Sequence, residues 1–251
     1  MAGHSKWANT KYRKERQDKK RSAIFAKLIK DITLQARNGD PDPANNAGLA
    51  QALERAKAAN LPKDNIERAI KRATGDVEGV TFEEITYEGY APDGVALLVR
   101  VITDNRNRAS AGVRHLFSKY GGNMAAAGSV SWQFERTGVV VLEDLPEEVD
   151  REELLMTLID AGAQELDDQG ETIEITCDPT DLTALSAAVR EHGFEPIRAE
   201  VTMLPKQTVH VEEKSAAKVL KLIEMLDDNE DVQEVYANFD VDDEVLERLS
   251  A

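Results

Sequence analysis

The chain has 251 residues, 41% hydrophobic and 5% aromatic, with a formal charge of −16. Such a length and apolar content form packed cores in one large or several small domains and exclude a disordered chain. The lone cysteine, Cys177, excludes an intramolecular disulfide and fits a reducing cytosol, and no apolar run approaches the roughly 18 residues of a membrane span.

The first 30 residues hold ten Lys or Arg against two acids. They lack the apolar stretch of a signal peptide, and Glu15 and Asp18 speak against a transit peptide. Residues 9–37 predict a helix, with Phe25, Leu28, Ile29, Ile32 and Ala36 on one apolar face. Its first part is almost free of apolar residues. Lys6, Lys11, Arg13, Lys14, Arg16, Lys19, Lys20 and Arg21 fall within 16 residues and cover much of a helix surface, which suits a phosphate backbone lying along it. A solvated helix face is the plainer reading, but the density of cations favours binding. Ahead of them, Trp7 and His4 are candidates for stacking on an unpaired base; the competing role for Trp7 is an anchor on the helical domain.

Asn38-Gly39-Asp40-Pro41-Asp42-Pro43 predicts a loop, followed by helices over 46–59 and from Leu61-Pro62 to Gly75. A basic helical domain therefore spans residues 1–78. Residues 1–75 carry 17 Lys and Arg against 8 Asp and Glu, a net of +9, and the remainder carries 14 against 39, a net of −25. A molecule polarised in this way meets a polyanion by its basic end.

Beyond residue 80 the pattern changes to strands at 85–90 and 95–103, a helix at 107–120 and strands at 129–134 and 139–142. A helix near 150–161, a strand at 171–177, a helix at 181–192 and a strand at 196–203 follow. A short strand at 207–211, a helix at 215–227 and a strand at 232–239 complete the series. The elements at 95, 107, 129, 207, 215 and 232 group as βαββαβ, a ferredoxin-like order, with βαβαβ over 138–203 inserted between its halves. The predicted class is α+β: an N-terminal three-helix domain (1–78) and two α/β ferredoxin-like domains, one discontinuous (79–136 with 204–251) and the third (137–203) inserted into it.

Arg106, Arg108 and Arg114 form a second candidate site, at the start of the helix near 107. They are placed either to bind phosphate at a helix N-terminus or to pair with nearby acids, and the sequence leaves both open. Tyr87-Glu88-Gly89-Tyr90 and Ser131-Trp132-Gln133-Phe134 alternate as strands do, a pattern that more commonly fills a core or an interface than a binding platform. The four histidines are scattered outside any metal-binding spacing, and Cys177 sits at a predicted strand end. The expectation is a protein that is not an enzyme, with no metal and no cofactor.

Gly3-His4-Ser5-Lys6-Trp7-Ala8-Asn9, Asn60-Leu61-Pro62-Lys63-Asp64-Asn65-Ile66, Tyr87-Glu88-Gly89-Tyr90, Thr103-Asp104-Asn105-Arg106-Asn107-Arg108, Gly128-Ser129-Val130-Ser131-Trp132 and Asp231-Val232-Gln233-Glu234-Val235-Tyr236 together resemble the YebC/PmpR family over nearly the whole chain. The resemblance implies a helical domain and two α/β domains, the third inserted in the second. It also implies a cytoplasmic regulator of gene expression without enzymatic activity. Members of the family are described both as DNA-binding transcriptional regulators and as translational activators, some linked to ribosomes that translate proline-rich stretches. With no persuasive helix-turn-helix and its cations gathered in an arm, the chain leans towards RNA and the ribosome, where its acidic domains could meet basic ribosomal proteins. A DNA-binding regulator is the first alternative and an acidic protein adaptor the second.

Overall fold

A computed structural model describes residues 21–75, 81–143, 151–168 and 172–250. They form two compact units, one from Phe134 to Lys206 and one from the chain on either side of it.

The larger unit begins with three helices, α1 (Arg21–Asn38), α2 (Ala47–Ala58) and α3 (Lys63–Thr74). Ile32 and Ala36 of α1, Leu49, Ala52 and Ala56 of α2 and Ala69 of α3 close a small core, completed by Leu61 in the α2–α3 turn. Their spacing of three and four residues turns one face of each helix inward. Asn46 joins two of the helices: its Oδ1 caps α2 by accepting from Leu49 N at 3.0 Å, while its Nδ2 donates to the Gln35 carbonyl of α1 at 2.9 Å.

The α/β part has an antiparallel sheet of β1 (Glu83–Tyr90), β2 (Ala96–Thr103), β3 (Asn123–Met124) and β9 (Val232–Ala237), in the order β3-β1-β2-β9. Leu97, Val99 and Val101 of β2 pack into one core with Val113 and Phe117 of α4 (Arg106–Lys119) and Val219, Leu222 and Ile223 of α7 (Glu213–Asp227). Period-two alternation sends Leu98, Arg100 and Ile102 to the other face. Phe117 fits because residue 89 is glycine; a Cβ there would lie 2.6 Å from both the Phe117 ring and the Asn123 carbonyl. Two short strands, β8 (Val209–His210) and β10 (Phe239–Asp240), pair in parallel, and α8 (Asp243–Ser250) follows.

The unit from Phe134 to Lys206 contains β4 (Phe134–Glu143), α5 (Arg151–Asp160), β5 (Ala163–Asp168), β6 (Thr172–Cys177), α6 (Leu182–Glu191) and β7 (Arg198–Pro205). All neighbours in its sheet, ordered β5-β6-β4-β7, are antiparallel. This βαββαβ arrangement is ferredoxin-like. Val140, Leu142, Ile173 and Ile175 face Leu154 and Leu158 of α5 and Leu185 and Val189 of α6.

The class agrees with the expectation: helices first, then α/β domains. Several element assignments change. Residues 129–133 are not a strand but a loop ending in a 3-10 turn at Ser131–Gln133, and the strand beginning at Phe134 runs unbroken to Glu143. The strand at 83–90, left outside the six-element grouping, lies inside the sheet, whereas the strand near 207–211 pairs only with β10. β5 and α8 were not anticipated. Ala-Gln-Glu-Leu-Asp-Asp has only two apolar residues, Ala163 and Leu166, which pack on the core from a strand whose register shifts between Ala163 and Glu165, so the apolar alternation on which the reading depends is lost.

Candidate nucleic-acid interface

Of the arm, His4, Lys6, Trp7, Lys11, Arg13, Lys14, Arg16, Lys19 and Lys20 lie outside the described residues. Arg21 opens α1. The helical domain that carries the arm divides its remaining cations into two sets. Arg37, Lys57, Lys63, Arg68, Lys71 and Arg72 are exposed. Lys27, Lys30 and Arg55 turn towards the α/β domain.

That inward set builds a charged seam. Lys30 Nζ donates to Asp231 Oδ1 and to the Glu230 carbonyl, both at 2.9 Å, and Lys27 Nζ to the Asp227 carbonyl at 2.5 Å. Arg100, in the middle of β2, reaches Asp31 of α1 and Glu84 of β1, each at 3.0 Å. Arg55 of α2 lies 2.5 Å from Glu234 and 3.7 Å from Asp31. The Arg100 guanidinium loses hydration through burial, but the hydrogen bonds it donates to Glu84 and Asp31 and the fields of Asp31 and Glu234 outweigh that loss and strengthen its hold on the proton. Asp231, 3% exposed, is likewise pushed up by burial and pulled further down by Lys30 and Arg108, so its carboxyl stays below the ordinary aspartate range.

The second sequence candidate meets this seam. Asn105 caps α4 by accepting from Arg108 N at 3.0 Å. The Arg108 side chain donates to Asp104 at 2.7 Å and to Asp231 at 3.0 Å, and Arg106 lies 3.7 Å from Glu83. Arg114 is exposed and has no ion pair among the described residues. The three arginines therefore differ: Arg108 belongs to the structural seam, Arg106 has one loose acidic neighbour, and Arg114 faces solvent. One signal for the seam was visible in Ala-Leu-Leu-Val-Arg-Val-Ile-Thr, where a single charge interrupts an apolar strand and demands a partner.

A different device stands on the same sheet face. Glu88, 7% exposed, accepts backbone N–H bonds from Gly128 at 2.7 Å, Val130 at 2.6 Å and Ser131 at 3.0 Å. Burial pushes the Glu88 carboxyl up, but the bonds from Val130, Gly128 and Ser131 outweigh it and hold the carboxyl below its ordinary value. This capture also explains why 129–133 is no strand: its N–H groups face a carboxylate and not a neighbouring ladder. The Ser129 carbonyl accepts from Tyr90 Oη at 3.1 Å and from Trp132 Nε1 at 3.0 Å, and Gln133 is tied to Asn238 at 3.0 Å. Tyr87 packs on the core beneath α4, and Phe134 is buried. Trp132 alone of these aromatics stands out, at 68% exposure.

Comparison with known proteins places this arrangement. Residues 5–76 match the TACO1/YebC protein N-terminal domain, and residues 82–239 match the TACO1/YebC second and third domain. The chain belongs to the TACO1/YebC family. A relative from Thermotoga maritima, named a probable transcriptional regulatory protein, is 50% identical over 249 residues, covering 99% of this chain and 98% of its own. A relative of the same name from Acidithiobacillus ferrooxidans is 48% identical over 251 residues, with 100% and 99% covered. The crystal structure of a conserved hypothetical protein from Aquifex aeolicus has a TM-score of 0.79 and 43% identity, covering 90% of this chain and 93% of the other. No helix among the described residues is long and apolar enough to cross a membrane.

Proposed function

We propose that this TACO1/YebC family member is a cytoplasmic, non-enzymatic regulator of gene expression that binds RNA on the ribosome through its basic N-terminal region and assists translation of difficult, proline-rich stretches. The observation that carries the reading is the charge polarity: +9 over residues 1–75 against −25 over the rest. The net charge of the acidic remainder disfavours polyanions there on average, so binding is oriented as well as attractive. The phosphate contacts are assigned to Lys6, Lys11, Arg13, Lys14, Arg16, Lys19, Lys20 and Arg21, with His4 and Trp7 at the tip and Arg106, Arg108 and Arg114 as a second group. Basic ribosomal proteins are the matching partners for the acidic domains. Transcriptional control through DNA is the second reading, favoured by the name that the relatives from Thermotoga maritima and Acidithiobacillus ferrooxidans carry.

Crosslinking in growing cells, followed by sequencing of the attached nucleic acid, separates the two. The translation reading expects ribosomal RNA, lost when Lys11, Arg13, Lys14 and Arg16 become Ala. Discrete promoter DNA without ribosomal RNA overturns it. In vitro, five to eight phosphate contacts give a slope of log K against log salt of roughly −4 to −7.

A further inference from the structure

We propose that Trp132 is a stacking platform for an unpaired base of a single-stranded nucleic acid held by the basic helical domain; the site rests on the nucleic-acid reading above. The indole is exposed, yet its mount is built like a core. A buried carboxylate grips three backbone N–H groups of the loop, Tyr90 and Gln133 tie it to the sheet and to Asn238, and Gly128 at φ +84° makes the turn that presents it. A buried carboxylate held by so many groups fixes the ring before any ligand arrives, so binding costs little ordering of the loop.

The chemistry of the ring narrows the ligand. Trp132 Nε1 already donates to the Ser129 carbonyl, so its hydrogen-bonding group is engaged and the indole offers π faces and C–H edges. Such a surface recognises a flat ring without reading its edges, as sequence-tolerant single-strand platforms do. Electrostatics leave the approach open. From Tyr120 to Phe134 there are 15 consecutive uncharged residues, in a chain of which 31% of residues are charged. An incoming phosphate backbone meets no acid from this segment.

Position sets the basic helical domain on the same sheet face as the loop. Glu84 and Glu88 lie on the same face of β1, four residues and about 14 Å apart. Glu84 shares Arg100 with Asp31 of α1, so the basic helical domain packs on the face that carries the Trp132 loop. A strand bound by the helical domain therefore runs along one sheet face to reach the indole.

Trp7 and Trp132 are the only tryptophans, so Trp7→Phe makes the indole at 132 the sole reporter. The probes are a short oligoadenylate and an abasic oligomer of equal length, each used at saturation of that variant. Oligoadenylate should quench the fluorescence, and the abasic oligomer should bind without quenching. With Trp7 in place, Trp132→Ala should weaken oligoadenylate binding about 5- to 150-fold, Trp132→Phe less, and neither should change affinity for the abasic oligomer. That unchanged affinity also certifies the fold. Oligoadenylate that binds with Trp132 unquenched, and equally well to Trp132→Ala, overturns the platform while leaving the nucleic-acid reading intact. Failure of both oligomers to bind the unaltered protein overturns that reading and the platform together.

Discussion

The face of the β3-β1-β2-β9 sheet turned away from α4 and α7 holds two polar constructions that solve burial in different ways. At the helical domain, carboxylates and guanidinium groups neutralise one another: Asp31, Glu84 and Glu234 around Arg100 and Arg55. At the Trp132 loop, one carboxylate, Glu88, is balanced by three peptide dipoles and, among the described residues, by no ion pair. The first joins elements far apart in sequence and depends on charge. The second joins a strand to a loop some 40 residues later and depends on backbone geometry. A seam of ion pairs accommodates exchange of partners, whereas a carboxylate gripping the N–H groups of Gly128, Val130 and Ser131 fixes one loop conformation.

The largest effect should come from breaking the seam. Arg100→Met removes the central cation, so that Glu84 loses it while Arg55 stays beside Glu234 and Asp31. The expected loss is about 3 kcal/mol, the lower end for breaking a buried pair, because a buried carboxylate that loses a partner costs more than the pair contributes. Chemical denaturation followed by circular dichroism reads it. If the seam alone couples the helices to the sheet, the transition should also split in two. A single transition with an unchanged midpoint would show that Arg100 is dispensable.

Next is the loop. Glu88→Gln keeps the shape but replaces one acceptor oxygen by an amide donor that faces N–H groups. A loss of about 2–3 kcal/mol is expected. In the Trp7→Phe background the Trp132 emission should shift to the red and its anisotropy fall, while Arg100→Met should leave both nearly unchanged. Equal effects of the two substitutions on Trp132 would erase the distinction between the constructions.

Acid should sharpen the comparison further. The Glu88 carboxyl is held below its ordinary value of 4.5, the bonds from Val130, Gly128 and Ser131 outweighing the upward push of burial. Its contribution is thus fully present above pH 4.5 and is lost as pH falls through the lowered value. Asp231 behaves the same way beneath its ordinary 3.8, since Lys30 and Arg108 outweigh its burial. Trp132 emission should therefore be flat above pH 4.5 and change only below it, and Glu88→Gln should abolish that step. A step centred above pH 4.5 would contradict the N–H capture.

Much of this was legible in the sequence, and what was not follows a physical division. Helical periodicity placed α1, α2 and α3 because a face buried every three or four residues survives in the letters. The same holds for β2, whose apolar run marks a buried strand, and for β6, where Ile173, Ile175 and Cys177 alternate into the core. The turn at Ser131–Gln133 was hidden, because whether Val130 and Ser131 donate to a strand or to Glu88 depends on a residue more than 40 positions away. β5 was hidden because its two core residues, Ala163 and Leu166, are three apart across a register shift and show no period of two. In the candidate site, local charge density marked the arm, whereas the separate fates of Arg106, Arg108 and Arg114 depend on Asp231, more than a hundred residues downstream.

Those three arginines give the smallest effect and the finest discrimination. Arg108→Ala removes a half-exposed side chain whose partner Asp231 keeps Lys30, and the cap at Asn105 persists because it receives the backbone N–H of residue 108. Its thermal midpoint should fall only slightly, and by less than that of Asp231→Ala, which takes one partner from Lys30 and from Arg108 at once. Affinity for single-stranded RNA should follow the opposite logic. Asp104 and Asp231 already occupy Arg108, so a phosphate must displace carboxylates to reach it; Arg114 has no such competitor among the described residues. Arg114→Ala should therefore reduce affinity and flatten the salt slope by about one unit, and Arg108→Ala should do so by less. If Arg108→Ala has the larger slope change, the seam opens when nucleic acid binds, and the cation holding Asp231 in the free protein is handed to a phosphate in the complex.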